Sequence, residues 1–488
     1  MPDPAESSSL TKFDLRDPER WPPLGYLGFG TFWAWLFLAI LDPYLLEAAR
    51  SPHRIQLILF VFLAMGVFAR PITAFFTSKL QPLVERPLFV VSAAVLPAVG
   101  TIVIALAGGR EVGGDLVAVI GTGIGSLGMA WTILLWGELY GSVGTRRASM
   151  GVALSVMIGV ALYFTIAVAF RPGAATAVAA TLMPAIGGVL LLVSKPGAEL
   201  PQGARPLQLA QRFQFPWRLA FAVGVFGVAY GLMHGITNPE AIDARLSFMG
   251  CGAAALLVAV GFAVSARDSE APGFTYRLFL PLMAAGFLVL PFLGNPWTVA
   301  NAIALTAYVC FDMVLWSALS DVSFRLRLPG TVVFGWGWAG EAAVLVGAAV
   351  GSTLMARVGL GDSQIHTLSL AMVFLLLLSM LLLLNGRDVL GELGATPVAA
   401  DAAAPTDDTL PDRSALLAAT YSLSSREADV LALLLKGRSL PYIAEELEIS
   451  QNTAKSHVRN LYNKLSVHTR QELLDLAQTT AGNGNGHR

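Results

Sequence analysis

Between residues 24 and 385 the chain presents apolar runs of spanning length one after another, and that repetition leaves it few ways to fold. A helix needs about 20 apolar residues to cross a hydrocarbon layer of roughly 30 Å. Runs of that kind occur near residues 24–46, 55–77, 88–108, 115–138, 148–170, 174–194, 217–237, 246–266, 277–294, 297–319, 331–356 and 365–385, about twelve in all. In lipid every backbone N–H and C=O must find its partner inside the chain, so such runs are read as helices. Charged residues make up only 13% of the chain, against about 25% in soluble domains. The expectation is an all-α, polytopic membrane helical bundle over residues 21–385. A polar head (1–20) precedes it, and its acids, Asp3, Glu6, Asp14, Asp17 and Glu19, are unlike a cleavable leader.

Orientation follows from the connecting segments. Sixteen Lys and Arg residues fall on the side of the N-terminal head and six on the other side. Basic loops stay in the cytoplasm, so both termini are expected there. The long loop Lys195 to Trp217 divides the spans into halves of about 21–194 and 217–385, a 6+6 arrangement. Leu135-Trp136-Gly137-Glu138-Leu139 in the fourth span is echoed by Leu315-Trp316-Ser317-Ala318-Leu319 in the tenth, and repeated halves are typical of transporter folds. In span number, termini, central loop and echo, residues 20–390 resemble the major facilitator superfamily. The usual loop motif of that superfamily, a glycine, an acid and clustered basic residues, is not evident in Thr77 to Arg86, which argues against ordinary transport.

Ionisable groups inside spans are expensive and default to functional candidates. Asp42, Arg70, Glu138, His234, Asp312 and Glu341 are the ones to watch, with Asp312 and Glu341 deepest. Asp42 and Glu138 fall near enough to span ends for water contact to explain them equally well. Arg70 precedes Pro71, which suggests a kinked helix with exposed carbonyls. Trp33, Trp35, Trp136, Trp316, Trp336 and Trp338 are numerous enough to line a cavity, and Trp316 and Trp336 join the candidate ligand-binding set. Cys251 and Cys310 lie in apolar runs and lack metal-ligand spacing, so no metal and no cofactor is expected. Gly121-Thr122-Gly123-Ile124-Gly125 lacks the Lys-Ser/Thr of a phosphate loop and is better explained by close helix packing. No enzyme signature is present.

After residue 385 the chemistry changes. Residues 386–415 turn to Ala, Pro, Thr and Asp and lose all apolar period, so they are read as an acidic tether with an end-to-end distance on the order of 30 Å. Residues 416–480 read as a small four-helix domain, followed by a short tail (481–488). Ser424 and Glu427 form a capping box for a first helix, with Val430, Leu433 and Leu434 facing inward and Gly437 ending it. Ser439 caps a short second helix, and a third spans Ser450 to Leu465. That third helix carries Ala454, Val458, Leu461 and Leu465 on one stripe. Its other face holds Gln451, Asn452, Thr453, Lys455, Ser456, His457, Arg459, Asn460 and Lys464, and no carboxylate occurs from Gln451 to Arg470. A cationic helix rich in amides and hydroxyls suits a groove of phosphates and base edges. Two short helices, a turn and a longer basic helix make a helix-turn-helix.

The pattern Ser425-Arg426-Glu427, Val430-Leu431, Gly437, Ile443-Ala444-Glu445, Leu447, Ile449-Ser450, Thr453, Lys455, His457, Lys464-Leu465, Val467 resembles the C-terminal DNA-binding domain of the LuxR family. The resemblance covers roughly Ser424 to Gln478. It implies that the third helix reads the major groove, that Thr453, Lys455, His457 and Lys464 face DNA, and that the last helix, Thr469 to Gln478, pairs two copies on promoter DNA as a homodimer. Leu440-Pro441 in place of a polar pair, and Ala454 in place of a usual Val, are the departures. Together the two parts lead one to expect a membrane-integrated, one-component bacterial transcription regulator. Its bundle, set in the lipid bilayer, would sense an unknown small molecule. A transporter with a coupled DNA-binding reporter, or a passively anchored transcription factor, are the alternatives.

Overall fold

In the computed structural model the apolar runs form helices, and among the described residues there is no strand. Those residues are 21–46, 52–77, 80–108, 110, 112–197, 217–237, 243–264, 271–292, 297–338, 341–384, 414, 417–418, 421, 423–435, 443, 446–447, 449, 451–465, 467 and 473. The head, most of the central loop, most of the tether and the terminal residues 474–488 therefore lie outside them. The helices are α1 (Phe29–Trp35), α2 (Pro52–Thr77), α3 (Pro87–Ala107), α4 (Gly114–Tyr140), α5 (Thr145–Ala169), α6 (Ala174–Val193), α7 (Trp217–Ile236) and α8 (Ala244–Val264). There follow α9 (Ala271–Phe292), α10 (Trp297–Leu326), α11 (Gly330–Gly337), α12 (Glu341–Thr353), α13 (Asp362–Leu384), and, in the tail, α14 (Ser425–Leu435) and α15 (Gln451–Leu465). The chain divides into two compact units, Met1–Gly394 and Ala395–Arg488.

Among the described residues, ten helical segments are long and apolar enough to cross a membrane, and two shorter apolar segments, Val223–Ile236 and Leu280–Pro291, fall where the seventh and ninth spans are expected. Two spans are less regular than the sequence suggests. The first is a 3-10 turn (Leu24–Gly28), α1, and a π-type stretch (Leu36–Leu41) ending at Asp42, whose backbone leaves the helical region. In the run 331–356, α11 stops at Gly337 and α12 is described from Glu341.

Lipid supplies no hydrophobic force between helices, so small residues and polar contacts set the packing. A Cβ on Gly231 of α7 would strike the Val344 carbonyl of α12, and one on Gly347 would strike that of Val228. Gly121 of α4 meets Ile104 and the Gly100 carbonyl of α3 in the same way, so this glycine run serves close packing. Interior hydroxyls donate to the carbonyl four residues back, as in Thr122 to Ala118 (2.7 Å) and Thr306 to Ala302 (2.7 Å), which satisfies them where water is absent.

The first and second halves of the bundle meet along α5 with α8 and along α2 with α11 and α12. At the end carrying most of the basic loops, three polar contacts cross between them. The Gln81 amide donates to Thr331, Thr145 donates to the Asp321 carboxylate, and Arg146 Nη2 donates to the Phe262 carbonyl at 2.8 Å. Next comes an aromatic plug: Trp316 of α10 packs tilted against Phe29 (4.6 Å) and Phe334 (4.6 Å) and edge-on to Tyr140 (5.8 Å). Trp136, its echo in α4, reaches the same Phe29 (5.7 Å).

In the second unit, α14 and α15 pack around Leu417, Val430, Leu431, Leu434, Ile443, Leu461 and Leu465, all buried. Leu431 takes the deep position expected of Leu433, which is only half-buried.

Candidate functional site

The tail offers one face for a ligand. Along α15, Leu461 and Leu465 are buried and Val458 is half-buried, which fixes the opposite side outward. Thr453, Ser456, Arg459 and Asn460 are exposed there, and His457 is half-buried at its edge. The side chains of Gln451, Asn452 and Lys455 lie outside the described residues, as does the expected last helix apart from Leu473, which is buried.

Lys464 is placed differently from the other cations. Its Nζ donates to Glu427 Oε2 at 2.7 Å. The same carboxylate accepts the Ser424 N–H at 2.8 Å, while Ser424 Oγ accepts the Glu427 N–H at 3.3 Å. This is the capping box the sequence announces, extended by one cation from another helix. Hydrogen bonds from Lys464 and the Ser424 backbone hold the Glu427 carboxyl down to about 2. One carboxylate thus fastens the start of α14 to the last turn of α15.

The bundle offers a cavity between its halves, on the side of the aromatic plug away from the basic end. An outer chamber of about 380 Å³ is lined by Asp42, Tyr230, His234, Arg245 and Asn301 among others. There Tyr163 donates to Asp42 Oδ2 at 2.6 Å. An inner recess of about 70 Å³ shares Leu41, Leu59, Tyr230, His234 and Leu305 with the chamber and ends on Asp312, Trp316, Trp338 and Glu341. Behind it lies Arg70, fully buried, which pairs with Glu341, donates Nε to the Gly66 carbonyl at 3.0 Å, and lies 5.0 Å from the Trp338 ring centre. That pair joins the first half to the second.

Of the residues singled out from the sequence, Asp42, His234, Asp312, Trp316 and Glu341 come together around this cavity, with Arg70 behind it. Glu138 does not. Its two oxygens accept the backbone N–H groups of Leu83 (2.9 Å) and Val84 (2.8 Å), so it organises the loop between α2 and α3. Trp336 is half exposed on the outside of α11, and Trp338, just past the end of α11, lines the recess instead. Tyr230 and Tyr308, stacked at 4.1 Å, were not singled out. Their signal was present: Tyr230 with His234, and Tyr308 with Asp312 and Trp316, recur at helical spacing on one face.

Residues 421–477 match the family model of bacterial regulatory proteins of the luxR family. The HTH-type transcriptional regulator MalT of Yersinia pestis is 48% identical over 59 residues, which is 12% of this chain and 6% of that regulator. MalT of Yersinia enterocolitica matches to the same extent. The larger unit is similar to the human organic anion transporter MFSD10 (TM-score 0.52, 17% identity, 75% of this chain and 99% of that one). It is also similar to a bacterial homologue of the iron transporter ferroportin in its outward-facing state (TM-score 0.51, 12% identity, 74% of this chain and 96% of that one). The chain therefore carries a LuxR-type DNA-binding domain at residues 421–477, and its larger part shares the helical fold of these two transporters.

Proposed function

We propose that this chain is a membrane-integrated, one-component bacterial transcriptional regulator, in which the bundle binds a small molecule and the tail binds promoter DNA. The observation that carries the reading is the covalent union of a LuxR-type domain with a bundle that holds an internal, partly charged cavity. A domain built to hold DNA needs no such cavity if the bundle is only an anchor. The excess of basic residues in alternate loops supports cytoplasmic termini in the inner membrane, where the tail can reach the chromosome.

A ligand moves an equilibrium only through its different affinity for two states. Here the two states are packings of the halves, and the contacts Gln81 to Thr331 and Thr145 to Asp321 at the basic end are the ones a repacking would break or keep. The change alters how two tethered domains pair through the last helix (Thr469 to Gln478) on half-sites one helical turn apart. On DNA, Lys455 and Arg459 contact phosphates. Gln451, Asn452, Thr453 and Ser456 meet base edges.

The test uses the full chain in lipid nanodiscs and a labelled fragment of its own promoter. Replacing Lys455 and Arg459 together with Ala should weaken binding strongly at moderate salt; unchanged binding rules out this face. A protease site in the tail that is cut from outside intact cells rules out the topology. The cavity would serve a transporter equally well, so concentrative uptake into proteoliposomes that depends on Asp312 or Glu341 would replace the sensor with a transporter.

A further inference from the structure

The floor of the inner recess carries a charge imbalance that points to the kind of molecule it takes. Asp312 is buried, lines the recess, and among the described residues its Oδ1 has no hydrogen-bond partner. Glu341, the second carboxylate of the recess, is already matched by Arg70. Arg70 pairs with Glu341 through Nη2, while its Nη1, like Asp312 Oδ1, is buried without a hydrogen-bond partner among the described residues, and a buried carboxylate oxygen without a partner is expensive. Trp33, Tyr308, Trp316 and Trp338 line the recess, and aromatic rings attract a cation through the ring quadrupole. His234 stands at the junction with the outer chamber, stacked on Tyr230.

We infer that the recess is a binding site for a lipophilic organic amine, whose protonated nitrogen is accepted by Asp312 and whose apolar body lies outward into the larger chamber. The inference rests on the sensor reading and adds to it the chemical class of the ligand. The sizes agree with that orientation. A recess of about 70 Å³ holds an ammonium group and its stem, and the adjoining chamber of about 380 Å³ takes a ring. A metal ion is a poor fit, since no group of three or more His, Cys, Asp or Glu is placed to hold one among the described residues. An anion would meet Asp312 and Glu341 before it met Arg70, which sits behind Glu341.

The test is calorimetric binding to the full chain in nanodiscs at pH 8, where an ordinary imidazole is neutral. Three probes share one ring: phenethylamine (cation), 2-phenylethanol (neutral) and phenylacetate (anion). Phenethylamine should bind about tenfold or more tightly than either of the others. Asp312→Asn should abolish that preference while leaving the alcohol unaffected. The same variant should melt at or above the temperature of the unliganded parent, because it removes an unpaired buried charge, so a loss of binding is not a loss of fold. Asp312→Glu keeps the charge and should keep a preference for the amine. Phenylacetate bound best, an amine preference that survives Asp312→Asn, or no amine binding up to millimolar concentration would each overturn the inference. DNA affinity measured in the same samples separates the two proposals. Amine bound through Asp312 with no effect on DNA affinity keeps the ligand class and ends the sensor reading. DNA affinity that answers phenylacetate or the alcohol, and not the amine, does the reverse.

Discussion

The two units of this chain are both helical, but different forces choose which side of each helix is buried. In the tail, α15 is apolar on one stripe and polar on the rest, so water alone decides that Leu461 and Leu465 go in and Arg459 stays out. In the bundle most helices are apolar on every side, and neither water nor lipid ranks their faces. Small residues such as Gly231 and Gly347, and a few charges such as Arg70 and Glu341, decide instead. The tail is therefore robust to polar change outside and fragile in its core. The bundle should tolerate apolar exchange outside and fail at single charged contacts within.

The largest effect should follow from removing one member of the buried pair. Glu341→Ala leaves the Arg70 guanidinium, fully buried, without its counter-charge. The expected cost is about 3–5 kcal/mol, whereas replacing both partners together, Arg70→Met with Glu341→Leu, should be close to neutral. Thermal melting of the purified full chain in detergent reads this directly. A single variant as stable as the parent would mean that charge does not set the packing of α2 on α12. The matching change in the tail is Leu461→Ala, a fully buried side chain truncated at a cost of about 2–5 kcal/mol. Because Leu461 belongs to the core of the second compact unit, the change should abolish DNA binding and leave the bundle's melting unchanged.

This difference also governs what could be read from the sequence. The capping box at Ser424 and Glu427 and the stripe of α15 were legible, because local hydrogen bonding and a 3.6-residue period are written into neighbouring residues. The positions of the spans were legible for a similar reason, since length and hydropathy need no partner. The end of α11 at Gly337 was not, and Trp338 rather than Trp336 lines the recess. Apolar runs do not record where a helix stops when glycines, here Gly335 and Gly337, occur in its last turn as they do inside other spans. Contacts between distant residues, such as Gln81 with Thr331 or Lys464 with Glu427, were beyond a one-dimensional reading. Lys464 illustrates the cost: composition put it on the DNA face, and the fold gives it an intradomain partner.

A smaller effect sharpens that last point. Glu427 titrates near 2 in the folded tail against an ordinary value of 4.5, chiefly because Lys464 and the Ser424 N–H donate to it. A depressed carboxyl contributes stability that is complete above about 4.5 and is lost as pH falls toward 2. Tail unfolding, followed in the full chain by hydrogen exchange of α14, should therefore steepen between those values. Lys464→Met should shrink that acid-labile part. Glu427→Gln should cost about 1 kcal/mol at neutral pH, the ordinary worth of a helix cap. An acid profile unchanged by Lys464→Met would return Lys464 to the set of residues free to meet DNA.

The smallest effect on folding should come from Arg459, and there the comparison separates a residue that builds the tail from one that uses it. Arg459 is exposed on the face opposite Leu461, so Arg459→Ala should change stability by no more than about 0.5 kcal/mol. Its effect on DNA should be electrostatic. A phosphate contact releases counterions, so its loss lowers the salt dependence of log affinity by about one unit of slope and weakens specific and unrelated sequences alike. Asn460→Ala on the same exposed side removes no charge and should leave the slope intact. Anisotropy titrations of the full chain between 50 and 200 mM salt, the range over which such contacts are felt, distinguish the two. A slope unmoved by Arg459→Ala, with affinity lost only for the cognate promoter, would make Arg459 a reader of base edges and shift phosphate anchoring toward Lys455 and the segment that follows α15.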